Sequence, residues 1–136
     1  MTTDAPDLFT DVYDFHRKFD LPHPDHPVLL NWDDFMFRFR FMSEELGEMI
    51  DAQEEEDIAG IADGLADVIY VALGTAVMMG LPFDRIWQAV HDANMRKVRA
   101  DHADDTRSVR KHKLDVVKPE GWKAPDVEGI IKRAME

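Results

Sequence analysis

The chain has 136 residues, 45% of them hydrophobic and 10% aromatic, which is enough to bury one real core and too apolar for a disordered segment. It contains no cysteine, which excludes disulfides, thiolate zinc sites and cysteine nucleophiles and accords with a reducing compartment. The net charge of −12 is uneven: residues 1–93 hold 5 basic and 20 acidic groups, whereas residues 94–136 hold 11 basic and 8 acidic ones, and so acidic a body argues against binding to a nucleic-acid backbone.

The amino-terminal stretch "MTTDAPDLFTDVYDF" has neither the basic region nor the apolar run of a signal peptide. The longest uncharged apolar stretch, Val68 to Leu81, is short for a bilayer span. A soluble, cytoplasmic protein with no membrane partner is therefore expected. In "DAPDLFTDVYDFHRKF", Leu8, Val12, Phe15 and Phe19 fall on one stripe and predict a short amphipathic helix. "DLPHPDHPVLLN" follows, with prolines at 22, 24 and 27, and is read as a loop.

From Asp33 to about Gln53 a long helix is expected, with a seam of Phe35, Phe39, Met42, Leu46 and Met49 at helix-packing spacing. The next helix, Ile58 to Met79, is apolar nearly all round, which predicts a central, buried position. It ends at "MGLP", where Gly80 suits a C-cap and Pro82 a new start. "PFDRIWQAVHDANMRKVRAD" predicts a fourth helix with Phe83, Ile86, Val90, Ala93 and Lys97 along one side. Beyond Asp101 the periodicity dissolves into a basic segment, then a short helix near Val127 to Met135. No strand pattern is convincing. The expected fold is all-α: an antiparallel four-helix-type bundle in one domain, with its core at 8–101 and a basic tail at 102–136.

Glu44, Glu45 and Glu48 span an arc of about 100° on one helical face, where they repel each other unless a cation sits among them. Taken alone, they also read as a solvated acidic face. Asp63 and Asp67, one turn apart among apolar residues, shift the balance, because an unpaired carboxylate is costly to bury. A metal, a water-filled cleft or a basic partner must compensate, and Arg38 and Arg40 are available as the last. Gly60, Gly64 and Gly74 line one side of the same helix and permit close approach of either a packing helix or a ligand. An all-oxygen donor set suits Mg2+ or Mn2+; di-iron chemistry would need Glu-x-x-His pairs, which the chain lacks. Farther on, Asn94 and Lys97 can offer an amide and an ammonium to a phosphate.

With these motifs the chain resembles the all-α nucleoside triphosphate pyrophosphohydrolases, the MazG-like and phosphoribosyl-ATP pyrophosphohydrolase-like proteins. Their pattern is Glu-Glu-x-x-Glu followed, on the next helix, by Glu-x-x-Asp. "EELGE" at 44–48 matches the first half, and Asp67 falls at the aspartate of the second. "NMRK" and "VVKPEGWKAP" resemble closing motifs, so the likeness runs from residue 8 to about 125. One departure is Gly64, which stands where the family has its second-helix glutamate.

The resemblance implies hydrolysis of a nucleoside triphosphate to monophosphate and pyrophosphate with Mg2+, or Mn2+ in its place. It implies Glu45, Glu48 and Asp67 as metal ligands, with Asp63 as a replacement for the missing glutamate. Glu44 or Glu45 would act on the attacking water. Asn94 and Lys97 would hold the phosphates, with Lys118, Arg38 and Trp32 as further substrate contacts, Trp32 by stacking on the base. Family members are homodimers or dimers of dimers, which fits the methionine-rich apolar faces (Met36, Met42, Met49, Met78, Met79). The alternative is a non-catalytic acidic helical protein, either an interaction module or a nucleotide sensor.

Overall fold

A computed structural model of the protein describes residues 7–136. Asp4 to Pro6 of the expected first helix, and residues 1–6 of the stretch read for a leader, lie outside them. Along the chain run α1 (Leu8–Lys18), α2 (Trp32–Glu54), α3 (Ile58–Met78), α4 (Phe83–Met95), β1 (Val98–Arg99), β2 (Val116–Val117) and α5 (Val127–Ala134). The all-α expectation holds. The chain divides into two compact units, one ending at Leu81 and one spanning Pro82–Ala134.

In the first unit each helix begins at a side-chain cap. Asp7 accepts from the Thr10 N–H at 3.0 Å, Asn31 from Asp34 N–H at 2.8 Å and Asp57 from Gly60 N–H at 3.0 Å. The acidic junction Glu54–Asp57 is exposed, as its composition asks, and its last carboxylate does the capping. At the other end of α3, Gly80 adopts φ +61° while Gly80 and Leu81 donate to Val77 and Ala76, a Schellman close. The proline-rich segment is a loop, tied to that end by Val28 N–H on Met79 O at 2.9 Å.

α2 and α3 form an antiparallel hairpin, and α1 packs on α3. Val12, Ala52, Val71, Leu73, Ala76 and Val77 make the core. The expected seam of α2 is not buried in the chain, however: Phe35, Phe39 and Leu46 are exposed. Nor is α3 buried all round, since Ile58 is 82% exposed and Leu65, Ile69 and Tyr70 are also open. Two neighbouring helices cover only part of an all-apolar cylinder. By length and composition alone α3 could also cross a membrane, because Asp63 and Asp67 barely dilute it.

The second unit departs further from expectation. α4 ends at Met95, where Arg96 and Lys97 donate to Ala93 and Asn94, and Lys97 therefore lies beyond the helix. Val98–Arg99 instead pairs antiparallel with Val116–Val117. Two-residue strands carry no readable alternation. Ile86, Ala93, Ala100, Val117 and Ile130 form this unit's core. The terminal helix α5 stands close to its expected bounds.

Candidate active site

The hairpin register decides which carboxylates meet. Arg38 bonds to Val71 and Thr75, Ala52 lies against Gly60, and Met49 lies against Gly64. Glu45 and Asp67 fall at the same level of that register. Both are half-buried, whereas Glu44, Glu48 and Asp63 are exposed. Burial pushes the Glu45 carboxyl up from its ordinary pKa, and the neighbouring charges of Glu48 and Asp67 push it further. Its Oε2 is buried and has no hydrogen-bond partner.

Glu45, Glu48 and Asp67 are thus brought together, one from each turn of "EELGE" and one from the facing helix. Glu44 and Asp63 do not figure among the groups acting on Glu45. Among the described residues no three His, Asp or Glu side chains converge so as to hold a metal ion as they stand. The residues nevertheless fit a cation in kind. A buried carboxylate oxygen without a donor, facing two more carboxylates, is satisfied by a shared proton or by a cation, and for the latter its oxygen donors suit Mg2+ or Mn2+.

The basic-partner explanation fails. Arg38 donates from Nε to Thr75 Oγ1 at 3.1 Å and from Nη2 to Val71 O at 2.9 Å, and among the described residues no carboxylate is paired with it. It fastens α2 to α3. Arg40 is exposed and makes no ion pair among the described residues.

The glycines also resolve. A β-carbon at Gly64 would collide with Met49 Cγ, and one at Gly74 would sit against Arg38 and His16. Packing between helices, not a ligand, requires them. His16, only 2% exposed, donates from Nδ1 to Pro22 O at 3.0 Å, which fixes its tautomer.

Trp32 is 72% exposed and stacks on Phe35 at the start of α2, so its other face is open. In the second unit Asn94 is exposed at the end of α4. Lys97 and Lys118 both lie over the Trp122 ring, with Nζ 5.5 and 4.9 Å from its centre. Trp122 was not singled out in sequence, although a tryptophan between lysines in a Pro/Gly loop is a usable signal.

The remaining tail cations are mostly engaged. Arg107 pairs with Asp105 at 2.9 Å, Arg110 pairs with Asp115 at 2.7 Å, and Lys111 donates to Asp105 O at 3.1 Å. The two carboxylates have pKa values held low. Asp105 is lowered first by its bond from Arg107, and Asp115 first by the Ser108 hydroxyl at 2.6 Å.

No curated protein matches the chain. A family model described as phosphoribosyl-ATP pyrophosphohydrolase matches residues 12–94, from α1 to the last turn of α4. Apart from Asn94, its last residue, the stretches resembling the closing motifs lie past that match, and the carboxylate cluster lies inside it. With more than half the chain matched, an all-α build and paired acidic helices, the protein belongs to the phosphoribosyl-ATP pyrophosphohydrolase family, a MazG-like family of pyrophosphohydrolases acting on nucleotide-like substrates.

Proposed function

We propose that the protein hydrolyses a nucleoside or deoxynucleoside triphosphate to the monophosphate and pyrophosphate, using Mg2+ or Mn2+, in control or cleaning of the nucleotide pool. The observation that carries this reading is the buried, unpartnered Oε2 of Glu45 facing Glu48 and Asp67. Glu45, Glu48 and Asp67 would hold the metal. When bound, it supplies positive charge against the phosphates and favours attack at the α-phosphorus.

The chain's own groups do the rest. Glu44, exposed beside Glu45, accepts a proton from water as its oxygen bonds to the α-phosphorus. The bond from that phosphorus to the bridging oxygen breaks, and pyrophosphate leaves with the electron pair. In the first unit Trp32 offers an open indole that suits stacking on a base; in the second, Asn94, Lys97 and Lys118 are groups of the kind that bind phosphate oxygens. Asp63 is the remaining acidic group that can stand in for the glutamate absent at Gly64.

The exposed apolar surface of α2 and α3 supports a homodimer, alone or paired into a tetramer. The test is a product screen over standard and modified nucleoside triphosphates with Mg2+ and with Mn2+. Pyrophosphate release from at least one of them is expected. Orthophosphate without pyrophosphate would overturn the cleavage site, and saturable binding with no product would make the protein a sensor.

A further inference from the structure

His16 is a buried titratable group with no part in the acidic cluster. It and Val12, one turn apart, are the two buried side chains of α1, each 2% exposed. Leu8, Phe15 and Phe19 on the same stripe remain open. A groove of about 220 Å³ runs between α1 and α3, lined by Leu8, Val12, Ala66, Ile69, Tyr70 and Leu73. The hold of the hairpin on α1 therefore rests largely on one valine and one histidine.

The histidine is engaged on both edges of its ring. Nδ1–H donates to Pro22 O at 3.0 Å, while Leu21 N–H donates to His16 O at 2.8 Å, so the chain folds back on the end of α1. A carbonyl only accepts, so the neutral ring carries its proton on Nδ1, and a second proton has to go to Nε2. Nε2 faces Gly74 of α3, where a β-carbon would lie 3.0 Å from it and 2.5 Å from Nη2 of Arg38. The two nitrogens are thus no farther apart than those two distances laid end to end. Arg38 cannot swing aside without giving up its bonds to Val71 and Thr75.

The charges that reach the ring have one sign. Arg38 acts from α2, and His23 acts from the loop, where its ring meets Tyr13 edge-on. α3 faces His16 with Gly74 and adds no charge. On α1 itself Asp11, Asp14, Arg17 and Lys18 are exposed. Among the described residues no carboxylate acts on the imidazole. Burial holds it below its ordinary pKa, and the charges of Arg38 and His23 add to that, against the Pro22 bond, which favours the charged form. An opened α1 would take up the proton near the ordinary value of about 6.5, which the closed one resists. The attachment is therefore fully present above that pH and weakens as pH falls toward the lowered value.

We propose that α1, with the turn that follows it, is an arm latched to the α2–α3 hairpin by neutral His16 and released when Nε2 takes a proton beside Arg38. The release has a built-in limit. Farther along the loop Val28 N–H holds Met79 O at 2.9 Å, and the carbonyls of Pro24 and His26 press on Gly80, where no β-carbon fits. Residues 8–22 leave together, while the loop stays hinged at Pro24–Val28. This device lies within the first unit and does not rest on the hydrolytic reading.

The test is hydrogen–deuterium exchange of the full chain in EDTA, without substrate, from about pH 7.5 to about pH 5, corrected for the intrinsic exchange rate. Protection of residues 8–22 should fall about tenfold per pH unit below about pH 6.5, while α2 and α3 keep theirs. His16→Asn keeps an N–H donor near the position of Nδ1 and carries no charge, so its α1 should hold the same protection across the range. A second measurement needs no variant. In a histidine-labelled NMR titration the His16 signal should keep its neutral position while α1 is closed. It should then give way to a protonated one in step with the loss of protection. Unchanged protection of α1 down to about pH 5, or equal loss from all three helices, would overturn the latch. So would a His16→Asn chain whose α1 opens over the same pH range. If that variant holds no α1 at any pH, the NMR titration decides, and a His16 ring that protonates with α1 still protected overturns the proposal.

Discussion

Glu45 is the side chain on which the acidic cluster turns. Its raised pKa means that the folded protein holds a proton there more tightly than the unfolded chain does. Its contribution to stability is therefore greatest at low pH and is lost as pH rises through the folded value. A metal competes for the same oxygen, so metal affinity should fall as pH is lowered. Glu48→Gln and Asp67→Asn each remove charge from this crowd. Both should lower turnover at least a hundredfold, while the metal-free unfolding midpoint holds or rises. Loss of helical circular dichroism in both would instead mean that the carboxylates are structural.

Asp63 gives the internal comparison. It is exposed and apart from the groups acting on Glu45. In a Mg2+ titration of activity, Asp63→Asn should shift half-saturation at least tenfold less than Asp67→Asn; equal shifts would make Asp63 a full ligand. Gly64→Glu restores the family's residue on paper but drives a side chain into Met49. Chemical denaturation should show it destabilised by about 1–3 kcal/mol, with no gain in metal affinity.

At the scale of elements, the α2–α3 hairpin is registered by Arg38, whose two bonds reach a hydroxyl and a helix carbonyl of α3. Arg38→Leu should cost about 1–3 kcal/mol in urea unfolding. A substrate contact would behave otherwise, raising KM at unchanged stability. The loop between β1 and β2 has its own registration, through Asp105 and Asp115. Their pKa values lie below the ordinary carboxylate value, so the stability they contribute is present above about pH 4 and is lost as pH falls through the lowered values. Trp122 emission followed from pH 5 downward should report that loss, and Asp105→Asn should flatten its pH dependence. An identical acid profile in the variant would place the lability elsewhere.

For the whole molecule, the apolar surface is the dominant fact. Phe37 is 61% exposed, and Phe39, Leu46, Ile50 and Leu65 are open on the same two helices. Surface of this kind is what the proposed homodimer would bury. Sedimentation velocity at micromolar concentration should give at least twice the 15.7 kDa of one chain. A sole species at the monomer mass would leave the apolar helix faces without an explanation. Charged substitutions such as Phe39→Glu should shift the distribution toward monomer while helicity is kept.

Sequence by itself determined the helices of the first unit, because caps, a glycine close and 3.6-residue periodicity are local properties of Asp7, Asn31, Asp57 and Gly80. It also determined the acidic pair of motifs, since "EELGE" and Asp67 carry their chemistry in residue type and spacing. Tertiary structure alone decided which of the five carboxylates meet. A helical wheel places Asp63 and Asp67 on one face, but the antiparallel register sets Asp67 level with Glu45 and leaves Asp63 in solvent. It decided likewise that Arg38 serves the hairpin and that Gly64 and Gly74 serve packing, because each depends on a neighbour more than ten residues away. The end of α4 at Met95 and the meeting of Lys97 with Lys118 on Trp122 were equally out of reach of periodicity. The strand pair and the contact of Lys97 with Trp122 are long-range pairings, which periodicity along the chain does not encode.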